Sequence, residues 1–126
     1  MKIKEIMNKA ISVEEDISLK QAAKIMSDKN IGSLVVIKKG EVAGIITERD
    51  ILKSIPDLDK KVSSVMSKKI ITIEDDEDLD EAALVMTQNK IRRLPVITEE
   101  GKLIGIVTST DIIAHSEEIG DEFLFD

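Results

Sequence analysis

Apolar residues fall at Leu19, Ala22, Ala23 and Met26, and the same spacing returns at Leu79, Ala82, Ala83 and Met86. This is the stripe of an amphipathic helix, so each half of the chain is predicted to contain one, with these side chains in the core. Ser18 and Asp78 stand just before the stripes as predicted N-caps, and Gln21 and Glu81 complete a capping box in each. Two short apolar runs around a polar turn follow each helix. In the first half they are Leu34 to Ile37 and Val42 to Ile46, around Lys38-Lys39-Gly40-Glu41; in the second, Leu94 to Ile97 and Leu103 to Val107, around Thr98-Glu99-Glu100-Gly101-Lys102. Short runs that are continuously apolar predict strands covered on both faces. Two β-prone pieces, Ile11-Ser12-Val13 and Ile71-Thr72-Ile73, lead into the helices through acidic turns, and a further helix is predicted to open at Thr47 and at Thr108. Each half thus reads β-α-β-β-α, and the chain as an α+β protein.

The halves are copies of each other. Gly44-Ile45-Ile46-Thr47-Glu48-Arg49-Asp50-Ile51 returns as Gly105-Ile106-Val107-Thr108-Ser109-Thr110-Asp111-Ile112, and Ile31, Leu34, Val36 and Ile37 return as Ile91, Leu94, Val96 and Ile97. The repeats span residues 1–55 and 62–115, with a linker over 56–61 that opens on Pro56 and an acidic tail over 116–126 that holds Phe123-Leu124-Phe125. An internal repeat is one structural unit used twice, and the residues both copies keep are the first candidates for a site. A half of roughly 60 residues is near the lower limit for an independent hydrophobic core, so the halves are expected to share one.

Composition narrows the function classes. The net charge is −7 and the basic residues are scattered, which opposes nucleic acid as a partner. There is no Trp or Tyr and both Phe residues lie in the tail, so the body of the chain has no aromatic platform for bases. With no cysteine there is no disulfide and no thiolate metal site, which together with 34% charged residues suits a reducing cytosol. No apolar run approaches the roughly 18 residues of a membrane span and the start lacks a signal-peptide segment, so a soluble cytoplasmic protein without a membrane partner is expected. Glu74-Asp75-Asp76-Glu77-Asp78 lacks the glycine and distal glutamate of an EF-hand and reads as a solvated loop; His115, the single histidine, reads as surface. With no Ser/His/Asp, Cys/His or metal cluster, neither catalysis nor a metal or cofactor is expected.

Both copies keep Thr47-x-x-Asp50 and Thr108-x-x-Asp111, a hydroxyl and a carboxylate in the first turn of a helix that follows a buried strand. One reading is structural. Threonine at the N-cap with an acid three residues on is a capping box, and a duplication copies a cap as faithfully as a site. The other reading is functional. The strand end and helix start present backbone N–H groups, and a carboxylate beside them can accept hydrogen bonds from both hydroxyls of a ribose. The motif alone fits both.

The order and spacing of the motifs resemble tandem cystathionine β-synthase (CBS) domains, a two-repeat regulatory arrangement also called a Bateman module. The likeness rests on Lys4-Glu5-Ile6-Met7 and Val62-Ser63-Ser64-Val65-Met66 as lead-ins, on Ile31-Gly32-Ser33-Leu34-Val35-Val36 and Ile91-Arg92-Arg93-Leu94-Pro95-Val96, and on Gly44 to Leu52 and Gly105 to Ile113; it covers nearly the whole chain. It implies repeats packed through their sheets with pseudo-twofold symmetry, and two clefts that take adenosine compounds such as AMP, ADP, ATP or S-adenosylmethionine. By motif, Thr108 and Asp111 would hold one ribose, with Ser12, Val13, Ile31, Gly32 and Ser33 enclosing the base. Thr47 and Asp50 would hold the other, against Thr72, Ile73, Ile91 and Arg92, and Pro95 of the same strand motif joins the set. Ile31 and Ile91 would supply the aliphatic contact that aromatics do not.

Arg92 and Arg93 stand where the first repeat has the uncharged Gly32 and Ser33, and guanidinium groups suit phosphate, so the Thr108/Asp111 cleft is expected to take the phosphorylated nucleotide. Pairing of these arginines with surface acids is the structural counterpart of that reading; Arg49 and Lys90 are further cations. The resemblance also implies a homodimer made by the helices, to which apolar Ile51, Leu52, Ile112 and Ile113 would contribute, and a regulated protein partner. A ligand-free scaffold for assembly is the alternative.

Overall fold

The computed structural model describes residues 1–115. The Phe-containing tail lies outside the described residues. The chain divides into two compact units: Ile11–Ile70, and Met1–Ala10 together with the chain from Ile71 onward. Each unit therefore holds the helices and strands of one repeat and the lead-in segment of the other.

The first unit contains β1 (Ser12–Glu14), α1 (Leu19–Lys29), β2 (Ser33–Lys38), β3 (Glu41–Thr47) and α2 (Glu48–Ser54), then a 3₁₀ turn at Val62–Ser64. β2 is the middle strand, parallel to β1 and antiparallel to β3. The second unit has a 3₁₀ turn at Ile3–Glu5, then β4 (Ile73–Glu74), α3 (Leu79–Asn89), β5 (Arg93–Ile97), β6 (Leu103–Thr108) and α4 (Ser109–Ala114), with β5 in the middle. The expected α+β order, β-α-β-β-α twice, is present.

Pro95 explains why β4 is shorter than β1. In the first unit Ser12 pairs with Val35, and the Val35 N–H donates to the Ile11 carbonyl at 3.0 Å. At the equivalent place in β5, Pro95 has no N–H to give, and the parallel ladder begins only at Ile73 opposite Val96.

The helix stripes do face the cores: Leu19, Ala22 and Met26 are buried in one unit and Leu79, Ala82 and Met86 in the other. Each unit has a core cluster of its own, and the lead-in borrowed from the other half of the chain completes it. Val62 is fully buried with Leu34, Val36 and Ile46, while Ile3 and Ile6 are buried with Leu94, Val96 and Val107. The lead-ins thus supply apolar area that a bare repeat lacks.

The capping box at Ser18 forms, with the Gln21 N–H donating to Ser18 Oγ at 3.1 Å and the Ser18 N–H to Gln21 Oε1 at 2.9 Å. The one expected at Asp78 does not. Its side chain makes no cap bond and pairs with Lys2 Nζ at 3.2 Å, while the Leu79 N–H donates to the Met1 carbonyl at 2.9 Å. The equivalent backbone bond is present at the capped helix, where the Leu19 N–H donates to the Lys60 carbonyl at 2.8 Å, so what sets Asp78 apart is its ion pair with Lys2. Both stripe helices end on a left-handed residue, Asn30 or Lys90, and the next N–H, of Ile31 or Ile91, returns to the carbonyl of Met26 or Met86 at 3.0 Å. That closure sets the entry of β2 and β5.

Candidate functional site

The Thr-x-x-Asp motif sits where β3 passes into α2 and β6 into α4. Asp50 Oδ2 accepts the Thr47 N–H at 2.9 Å and the Thr47 hydroxyl at 3.0 Å, and Thr47 Oγ1 accepts the Asp50 N–H at 3.3 Å. The second copy matches it: 2.8 and 2.9 Å to Asp111 Oδ2, and 3.2 Å from the Asp111 N–H to Thr108 Oγ1. The capping box is real in both. It uses a single carboxylate oxygen, however, and Oδ1 of each half-buried aspartate accepts no hydrogen bond from the described residues. A carboxylate oxygen has about two acceptor positions, so each motif leaves room for about two donors from outside.

Glycine brings the lead-in against this turn. The N–H and carbonyl of Ile106 bond the carbonyl and N–H of Asn8, both at 2.9 Å, and Ile45 bonds Ser67 in the same way at 3.1 and 3.0 Å. A Cβ on Gly105 would lie 2.6 Å from Met7 Sδ and 2.9 Å from the Asn8 carbonyl, and one on Gly44 would lie 2.7 Å from Met66 Sδ and 2.5 Å from the Ser67 carbonyl. The strand glycine of each repeat is thus required by close approach of another backbone. One result was missed in the sequence: Asn8 Nδ2 donates to Asp111 Oδ2 at 2.9 Å. The signal that could have found it is the matched pair Met7-Asn8 and Met66-Ser67 ending the lead-ins.

Flanking positions follow from strand register. Ser33 lies opposite Thr47 and Arg93 opposite Thr108, so each shares a sheet face with its threonine. The preceding residues bond the helix start through their carbonyls, Gly32 from the Glu48 N–H at 3.0 Å and Arg92 from the Ser109 N–H at 2.9 Å. A Cβ on Gly32 would meet Glu48 Oε1, so this position faces the flank of the following helix rather than the threonine. By this equivalence Arg92 flanks α4, and Arg93 alone shares the Thr108 face. Neither guanidinium makes an ion pair or hydrogen bond among the described residues, so pairing with surface acids does not occupy them.

The other expected site residues are dispersed within their units. Ser12 is exposed and Val13 half-buried on β1. Ile31 lines a groove of about 360 Å³ between α1 and α2 with Met26, Ile51 and Leu52. Ile91 packs on the core of its own unit, and Thr72, in the same unit, is half-buried. Ile73 and Pro95 are buried, so their side chains serve packing and only their backbone or neighbours are open to a ligand. Arg49 and Lys90 are exposed. Of the apolar positions assigned to a helix surface, Ile51 and Ile112 are instead buried in the cores, because they are the residues that anchor α2 and α4; Leu52 and Ile113 remain 67% and 71% exposed.

Among the described residues no helix is long and apolar enough to cross a membrane. The family model for the CBS domain matches twice, over residues 3–57 and 62–118. The CBS domain pair of protein MJ0100, in complex with 5′-methylthioadenosine and S-adenosyl-L-methionine, is 33% identical with a TM-score of 0.84, covering 94% of this chain and 98% of that one. The cytosolic domain of the Mg²⁺ channel MgtE, in complex with ATP, is 26% identical with a TM-score of 0.72, covering 83% of this chain and 44% of that one. Uncharacterized protein MJ1426 of Methanocaldococcus jannaschii is 34% identical, over 90% of this chain and 89% of its own length. Several other curated relatives are longer, and the chain spans 22% to 65% of their length. The matched segments fall on the two sequence repeats, and the chain belongs to the CBS domain family.

Proposed function

We propose that this chain is a regulatory ligand-sensing module that binds adenosine compounds, seating the ribose on Asp111 with Thr108 and on Asp50 with Thr47. One observation carries the reading: in both repeats the cap occupies one carboxylate oxygen and leaves the other to accept the two hydroxyls of a vicinal diol. The similar CBS pair bound to 5′-methylthioadenosine and S-adenosyl-L-methionine, and the channel domain bound to ATP, support adenosine as the shared part of the ligand. Arg93, without a partner among the described residues and on the Thr108 face, supports a phosphorylated nucleotide at the Asp111 seat, AMP, ADP or ATP. Val13, Ile31 and Ile91 are the aliphatic candidates for the base. Exposed Leu52 and Ile113 support a homodimer through α2 and α4.

Calorimetry and thermal shift with adenosine, 5′-methylthioadenosine, S-adenosylmethionine, AMP, ADP and ATP test this. A ligand at a hundred times its dissociation constant adds about 2.7 kcal/mol of stability. Asp111→Ala and Asp50→Ala each remove charge-assisted bonds worth about 1.5–3 kcal/mol, so each lowers affinity at its own seat roughly ten- to a hundredfold in a folded protein. A lower melting temperature with unchanged affinity assigns the motif to helix capping, and no binding by any compound favours the ligand-free scaffold.

A further inference from the structure

The two aspartates are not equivalent, and what separates them lies outside the motif. Residues 8 and 67 occupy the same place in their units, each bonded in both directions to the strand residue two before the Thr-x-x-Asp threonine. At that shared position one unit has Asn8, whose Nδ2 reaches Asp111 Oδ2 at 2.9 Å. The other has Ser67, and Asp50 receives no side-chain bond from it. Asp111 Oδ2 thus holds three donors, the Thr108 N–H, the Thr108 hydroxyl and Asn8, whereas Asp50 Oδ2 holds two.

We propose that Asn8 is the residue that makes the two seats differ, fixing the Asp111 carboxylate and placing a second acceptor beside it, so that this seat demands both ribose hydroxyls. The inference rests on the ribose reading of Asp111. An oxygen already receiving donors calls for the nitrogen of the Asn8 amide, which settles the orientation of that group and turns its carbonyl oxygen outward. No described residue donates to that oxygen. A vicinal diol brings two donors, and Asp111 Oδ1 and Asn8 Oδ1, on two side chains joined by a hydrogen bond, are two acceptors that no described residue occupies. The third bond on Oδ2 also holds the carboxylate in one orientation, which lowers the ordering cost on binding. At the other seat Ser67, shorter than asparagine, makes no bond to Asp50 and brings no amide oxygen, so the diol lacks that second acceptor and loss of one hydroxyl matters less.

Calorimetry with adenosine and 2′-deoxyadenosine on single-seat proteins decides the matter. In an Asp50→Ala background, Asn8→Ala is expected to lower adenosine affinity about tenfold and 2′-deoxyadenosine affinity much less, so that the ratio between them narrows. Asn8→Ser should reproduce the ratio of the Asp50 seat. In an Asp111→Ala background, Ser67→Asn is expected to raise adenosine affinity at the Asp50 seat and widen the ratio, a gain that damage to the fold cannot produce. An unchanged ratio in Asn8→Ala, or no gain in Ser67→Asn, overturns the role of Asn8 while leaving the ribose seats intact. Absence of adenosine binding by the unsubstituted protein overturns the ribose reading and this inference with it.

Discussion

Gly105→Ala tests how the lead-in and the proposed ribose seat at Asp111 are joined. The added Cβ would stand 2.6 Å from Met7 Sδ, which can swing aside, and 2.9 Å from the Asn8 carbonyl, which is backbone. Ordinary contact starts at 3.4 Å, so the Asn8 carbonyl must retreat by about 0.5 Å. Both hydrogen bonds with Ile106, now 2.9 Å, then stretch to the edge of bonding distance. Two such bonds contribute about 1–3 kcal/mol together, and the crowding itself adds a cost of up to a few kcal/mol. Reduced freedom of the unfolded chain returns about 0.4–1 kcal/mol. A net loss of about 1–5 kcal/mol is expected in urea denaturation. Amide exchange should quicken at Asn8 and Ile106, and the Asn8–Asp111 bond should loosen, so adenosine affinity falls at the Asp111 seat and holds at the Asp50 seat. Gly101→Ala is the control: nothing lies within 4 Å of its Cβ and only its φ of +86° is penalised, so it costs stability without changing exchange at Asn8. A Gly105→Ala protein as stable as the parent, or full protection of Asn8 and Ile106 in it, would refute this close approach.

Three further outcomes follow from particular contacts. Arg93→Ala should weaken AMP, ADP or ATP more than adenosine, with the gap shrinking at high salt; equal weakening would assign Arg93 to the nucleoside. Ser18→Ala should cost about 0.5–2 kcal/mol by losing a working cap, whereas Asp78→Ala, which loses only an exposed ion pair with Lys2, should cost about 1 kcal/mol or less; equal losses in thermal denaturation would contradict the cap assignment. Leu52→Glu combined with Ile113→Glu should shift sedimentation at micromolar concentration from dimer to monomer with the melting of the units largely kept, and a parent protein that is already monomeric would refute the dimer.

The elements and their duplication were legible along the chain. Helical spacing at Leu19 to Met26, the Lys39-Gly40 hairpin and the box at Thr47 and Asp50 each arise within a few neighbouring residues, where periodicity and cap chemistry act. The carboxylates of the candidate site were legible for the same reason, as local motifs written twice. Local rules fail where a distant segment competes: Asp78 pairs with Lys2 instead of capping its helix, and Thr72 stays outside the strand because Pro95 has no N–H to donate. Tertiary structure alone decided that the lead-ins complete the cores, that Arg93 and not Arg92 shares the Thr108 face, and which carboxylate oxygen stays open. Asn8 and Asp111 are 103 residues apart. A single hydrogen bond over that separation leaves no periodic trace in the chain, because it forms only after buried Ile3 and Ile6 have carried the lead-in to β6, where Gly105 leaves it room.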